Sequence, residues 1–173
     1  SFLIDPKGNV IGRYDKIHLF DAILSSGKKF YESKIYSSGS KAVICDSSIA
    51  KIGLTICFDI RFPYLYRDLA KNGAQIITVP SAFTKETGEK HWHILLRSRA
   101  IETGAFIVAP AQTGYHSNGR ETYGHSLIIS PSGKIISEMG IKPGVIVSQI
   151  NLSEVKKARE EIPVLNLNKT YKI

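Results

Sequence analysis

A chain of 173 residues, 43% apolar and 22% charged, has the length and composition of one soluble globular domain and gives no sign of disorder. No apolar run reaches the ~18 to 20 residues of a membrane span, and no basic segment leading into an apolar stretch marks a secretory signal, so neither is expected. The net charge of +8 and the pI of about 9.5 raise the question of nucleic acid, but Lys and Arg are scattered, without interleaved aromatic residues, and a generally basic surface is the favoured reading.

Leu3-Ile4 and Val10-Ile11 flank Asp5-Pro6-Lys7-Gly8-Asn9, a turn signal that predicts a hairpin. Residues 127–136 repeat the pattern around Ser130-Pro131-Ser132-Gly133 and predict a second. Residues 21–40, rich in Ser, Gly and Lys, read as a long loop, a feature that is usually functional or disordered. Ile52, Leu54 and Ile56 alternate with smaller residues and predict a strand that Cys57 closes. Pro63 opens a predicted helix through about residue 72, with Leu65, Tyr66, Leu69 and Ala70 on one face and Gly73 as the stop. A short strand over 74–79 precedes a second predicted helix, 89–103, with Trp92, Leu95, Leu96 and Ala100 at core spacing and Gly104 after it. Further strands are expected at 106–109 and 145–150, then a last short helix capped by Ser153 and ended by Pro163. Strand–helix alternation between hairpins predicts a layered α/β domain.

Cys57 is the first candidate for chemistry. A nucleophile at a strand-to-helix turn sits where backbone N–H groups face a developing oxyanion, and nearby cations would favour its thiolate. Taken alone, a Cys after an apolar strand is more often a buried structural residue, the only reading open to Cys45. The two cysteines are expected to be reduced and the chain cytoplasmic. Lys16, at a strand end, has the charge to stabilise an oxyanion, although such a Lys is usually a solvated surface group. His18 reads as a base or as a hydrogen-bonded structural residue. His91 and His93 stand at i and i+2, on different faces of a helix, and no HExxH or Cys/His ligand spacing occurs, so no metal is expected.

Longer segments decide between these readings. Gly53-Leu54-Thr55-Ile56-Cys57-Phe58-Asp59-Ile60-Arg61-Phe62-Pro63 closely resembles the nucleophile segment of the nitrilase superfamily of carbon–nitrogen hydrolases. Tyr14-Asp15-Lys16-Ile17-His18-Leu19-Phe20-Asp21 resembles that family's catalytic-lysine segment, and Phe30-Tyr31-Glu32-Ser33 lies between the two in the same order. Val79-Pro80-Ser81-Ala82-Phe83-Thr84, His91-Trp92, Arg97-Ser98-Arg99-Ala100-Ile101-Glu102 and Thr122-Tyr123-Gly124-His125-Ser126 extend the resemblance over nearly the whole chain.

The resemblance implies an αββα sandwich, here without its N-terminal strands and helices, with residues 1–173 as the C-terminal portion of one domain. It implies that Cys57 attacks the carbon of a small amide to give a thioester, with Lys16 and the Phe58 backbone N–H stabilising the intermediate and Glu32 beside the lysine. No cofactor is implied, and association into a homodimer or larger homo-oligomer is. Features such as Ala109-Pro110-Ala111-Gln112 and Gly119-Arg120 resemble most the deaminated-glutathione amidase branch, with the ω-amidase branch similar; both take amides bearing carboxylates, for which Arg61 is a candidate partner. Arg61 reads equally well as an ion-pair partner of Asp59. The family's general-base Glu would precede Ser1, and neither Glu86 nor Glu89 matches it, so a non-catalytic remnant or interaction module remains the competing expectation.

Overall fold

The computed structural model describes residues 1–117 and 119–172. Its centre is a six-stranded mixed sheet whose strands lie in the spatial order 135–139, 126–129, 106–109, 76–78, 51–54 and 43–46. β6 (Lys51–Leu54), β7 (Ile76–Thr78) and β8 (Phe106–Ala109) run parallel, and β5 (Val43–Asp46), β11 (Ser126–Ile129) and β12 (Ile135–Met139) pair antiparallel at the flanks. Helix α1 (Pro63–Lys71) connects β6 to β7, and α2 (Lys85–Thr103) connects β7 to β8, the crossover that parallel neighbours require.

Both helices bury one stripe against the sheet. Leu65, Tyr66, Leu69 and Ala70 of α1, with Trp92, Leu96 and Ala100 of α2, share a core with Ile77, Val79, Ile107, Leu127 and Ile129. Proline at the first position of α1 suits a place where the N–H has no helical acceptor. Gly104 ends α2 in the left-handed conformation, φ 57°, and Arg159 of α3 (Ser153–Glu161) covers the exit by donating to Thr103 O at 3.0 Å and Ala74 O at 2.6 Å.

A smaller apolar cluster around Tyr14, Cys45, Ile52, Phe106 and Val155 fills the opposite side. The hairpin of β1 (Phe2–Ile4) and β2 (Val10–Arg13) docks there against β5. The approach requires Gly12, because a Cβ at that position would lie 2.0 Å from Cys45 Sγ. Cys45 is thus packed as a small apolar residue, 4% exposed.

Both expected hairpins form. Four expectations change. Residues 21–40 are no featureless loop but carry the hairpin of β3 (Asp21–Ile23) and β4 (Lys29–Tyr31), whose short strands lie at the surface and tolerate polar residues that mask any alternation. Residues 145–150 join no strand; Val145 and Val147 are 84% and 87% exposed, while Ile150 on the alternate side packs against the smaller cluster without ladder pairing. α2 starts at Lys85, four residues before the expected Glu89, and Ser153 is the first residue of α3 rather than its cap, with Asn151 Oδ1 accepting its N–H at 3.0 Å. β5, β9 (Thr113–Tyr115) and β10 (Glu121–Tyr123) had no clear sequence signal.

Candidate active site

The carboxyl ends of β6, β7 and β8 lie side by side, the usual location of ligand crevices in parallel sheets. Beyond the strands the ladder continues, with Cys57 N donating to Pro80 O at 3.0 Å and Ser81 N to Pro110 O at 2.9 Å. Cys57 begins a 3-10 turn, Cys57–Arg61, and has φ 48°, a left-handed conformation that costs a non-glycine residue on the order of 1–2 kcal/mol. The strain turns the thiol out of the strand direction. Phe58 follows as the second residue of that turn, where an N–H has no intrahelical acceptor.

Lys16 Nζ donates to Glu32 Oε2 at 2.5 Å, and the same oxygen accepts Phe20 N at 2.5 Å. The lysine side chain is 12% exposed and the glutamate 27%. Lys16, Glu32 and Cys57 face one cavity of about 320 Å³, bordered also by Phe30, Tyr36 and Arg120. Three expected site residues from separate segments therefore converge.

Asp59 is what brings the lysine segment to the cysteine turn. Its carboxylate is fully buried and accepts Tyr14 Oη at 2.8 Å, Ile56 N at 2.8 Å and His18 N at 3.1 Å. His18 Nδ1 lies 2.8 Å from the same carboxylate, Nε2 lies 2.6 Å from Tyr64 Oη, and the ring stacks on Phe62 at 3.5 Å. These contacts make His18 the structural histidine of its two readings. Asp59 does not pair with Arg61.

Burial raises the Cys57 thiol above its ordinary range, and this outweighs the opposing pull of Lys16, the Ala82 N–H, Arg120 and the Ser81 hydroxyl. Lys16 and Arg120 do favour the thiolate, as expected of nearby cations, but burial outweighs them and the thiol keeps its proton above the ordinary range.

Arg61 flanks the thiol in a narrow cleft shared with Phe58, Phe83 and Arg120. Its guanidinium lies 5.3 Å from the centre of the Phe83 ring, and Nη2 lies 3.3 Å from His91 Nδ1. Arg120 borders this cleft and the larger cavity, donates to Ala82 O and covers the Phe30 ring at 5.7 Å. Arg120 carries no site signal of its own in the sequence beyond the Gly119-Arg120 pair before Tyr123-Gly124-His125-Ser126. Glu86 and Glu89 line a neighbouring cavity, and the Glu86 carboxylate is held by the hydroxyls of Ser26 and Ser25 at 2.6 and 2.7 Å.

Comparison with known proteins identifies the family. Residues 1–160 match the profile of the carbon-nitrogen hydrolase family. The deaminated glutathione amidase of Dictyostelium discoideum is 47% identical over 99% of this chain and 60% of its own length. The crystal structure of the Caenorhabditis elegans NitFhit protein superposes with a TM-score of 0.90 at 38% identity, over 97% of this chain and 41% of that one. An amidase from Nesterenkonia sp. AN1, solved with acrylamide added at its active-site cysteine, gives a TM-score of 0.76 at 27% identity, over 94% of this chain and 60% of that one. The chain spans about three fifths of the length of the curated relatives it matches.

Proposed function

Since this chain belongs to the carbon–nitrogen hydrolase family, we propose that it carries most of the active site of an amidase for small carboxylated amides. The observation that supports this best is the convergence of Cys57, Lys16 and Glu32 on one cavity with two guanidinium groups beside the thiol. In this reading the Cys57 sulfur gives up its proton to a base and attacks the amide carbon. Lys16 and the Phe58 N–H hold the oxyanion. The C–N bond then breaks, the amine leaves with a proton, and a thioester remains on Cys57. Water attacks the thioester, releasing the carboxylic acid and restoring the thiol. Glu32 keeps the Lys16 ammonium aimed into the cavity.

Arg61 and Arg120 are the proposed anchors for the substrate carboxylate, since guanidinium is suited to a planar anion. Similarity to the deaminated glutathione amidases favours an amide of that class over an ω-amidase substrate. We read residues 1–173 as the C-terminal portion of one αββα domain, with the base supplied by the rest of it; Phe2, Ile4 and Val10 of the first hairpin are 58–62% exposed, as an apolar face awaiting cover would be. Two free thiols suit a reducing compartment such as the cytoplasm. A homo-oligomer is proposed through α1, α2 and the C-terminal segment.

Incubation with small carboxylated amides tests the reading. Intact mass should show an acyl adduct that is absent in Cys57→Ala, with ammonia release rising when the remaining part of a relative's domain is added. An adduct elsewhere, or none with any amide, would overturn it.

A further inference from the structure

We propose a second site, outside the cavities that the thiol borders: His93, His125 and Glu138 bind a divalent transition-metal ion of the zinc class. His93 Nε2 lies 3.0 Å and His125 Nδ1 2.7 Å from the same Glu138 oxygen, and the three donor atoms all lie within 4.8 Å of one another. They come from three elements, α2, the residue before β11, and the edge strand β12. None of them borders the Cys57 cavities. The i, i+2 spacing that removed His91 and His93 as a ligand pair leaves each free to pair with residues far along the chain.

The donors are fixed by more than their contacts with one another. His125 holds a left-handed φ of 58° that a non-glycine residue rarely adopts, its N–H donates to Gly140 O at 3.1 Å, and its carbonyl accepts Trp92 Nε1 at 2.8 Å. Its ring stacks on Tyr123 with centroids 4.3 Å apart. Trp92 precedes His93 on α2 and is completely buried, so the hydrogen bond that fixes His125 also ties it to the helix carrying the second imidazole.

Two imidazoles and a carboxylate match the N/O donor set of zinc, with bonds of about 2.0–2.2 Å, and are unlike the oxygen cages of calcium and magnesium. The two contacts to Glu138, 3.0 and 2.7 Å, need to open by less than an ångström, and the two imidazole nitrogens, already within 4.8 Å of each other, to settle at the same spacing around the ion. The side chains are 24–33% exposed, which leaves access for the ion and room for water as a fourth ligand. The ion would staple α2 to the sheet edge. The competing arrangement is a metal-free triad in which both rings donate N–H to one oxygen.

The test uses the untagged chain, stripped with a chelator and titrated with Co²⁺ and Zn²⁺. The expected result is one ion per chain and a Co²⁺ spectrum without sulfur charge transfer, unchanged in Cys57→Ser. His93→Gln and His125→Gln should each weaken binding by at least about a hundredfold, since loss of even a supporting residue typically costs 10–100-fold. X-ray absorption of the zinc-loaded native chain, which needs no variant to fold, should show imidazole and oxygen ligands only. Absence of stoichiometric binding, sulfur in the ligand shell, or binding that survives both histidine substitutions would overturn the site in favour of the metal-free triad.

Discussion

Tyr14 and Asp59 meet 45 residues apart in sequence, the phenol donating to the carboxylate at 2.8 Å with both residues essentially excluded from water. Two residues after Tyr14 stands Lys16, and two before Asp59 stands Cys57, so this bond registers the lysine segment on the cysteine turn. Burial, with the Asp59 charge adding to it, pushes the Tyr14 phenol far above its ordinary range, so it remains a donor throughout the working pH range. Tyr14→Phe leaves a buried carboxylate short of one donor, and bonds to charged groups contribute about 1.5–3 kcal/mol. Urea unfolding should show a loss of that size with an unchanged m value. A variant as stable as the parent would mean that the other donors hold Asp59 unaided.

The raised thiol of Cys57 makes stability depend on alkaline pH. Below roughly pH 8.5, the ordinary thiol value, Cys57 is protonated both folded and unfolded, and its contribution is fully present. Above that value the unfolded thiol ionises while the buried one keeps its proton, so the unfolded state binds fewer protons and stability falls as pH rises. The slope is at most about 1.4 kcal/mol per pH unit for one group. Cys45, also raised by burial, acts in the same sense. Unfolding curves from pH 7.5 to 9.5 should therefore be flatter in Cys57→Ser than in the parent, and flatter still when Cys45 is replaced as well. Equal slopes in all three proteins would place the thiol in a wetter setting.

Much of this was legible in the sequence. The helices announced themselves through Leu65, Tyr66, Leu69 and Trp92 at helical spacing, and the lysine and cysteine through long segments in a fixed order. What was not legible came from packing. Arg120 reaches the thiol from a loop between two surface strands, and no local pattern says that a loop folds back over Phe30. The protonation of Cys57 depends on how much protein surrounds it, which its sequence neighbours do not reveal. His93, His125 and Glu138 carry no local ligand spacing, because the fold joins His93 to Glu138 across 45 residues. Residues 145–150 show the opposite failure: a good strand pattern in a segment that packs without pairing to any described strand.

Gly12 and Cys45 provide a test of how the first hairpin docks. Gly12→Ala drives its methyl into Cys45 Sγ at a nominal 2.0 Å, so β2 must move away from β5 or the thiol must change rotamer. Overpacking of this kind costs about 1–3 kcal/mol. Cys45→Ala removes the obstructing sulfur and should make Gly12→Ala nearly neutral in the double variant, the coupling expected of residues in direct contact. Additive losses would show that the two do not touch in solution.

The last prediction divides the Lys16–Glu32 pair. Glu32 accepts Lys16 Nζ and Phe20 N through one oxygen, and Lys16 is the strongest of the groups opposing the burial of the Cys57 thiolate. Lys16→Gln removes that cation, so the thiolate fraction at a given pH should fall and alkylation of Cys57 by iodoacetamide should slow, by about tenfold for each pK unit lost. Glu32→Gln keeps the size and an acceptor for Phe20 N but removes the neutralising charge, so Lys16 acts more strongly on the thiolate and alkylation should accelerate, by up to about the same factor. Cys45, 4% exposed and raised by burial, should remain the slower site in every variant and serves as the internal reference in mass mapping. If the pair merely held the lysine segment in place, breaking it from either side would loosen the same contact and shift the rate in the same direction. Opposite signs at pH 7.5, converging as pH rises and the thiol ionises in all three proteins, are what an electrostatic role requires.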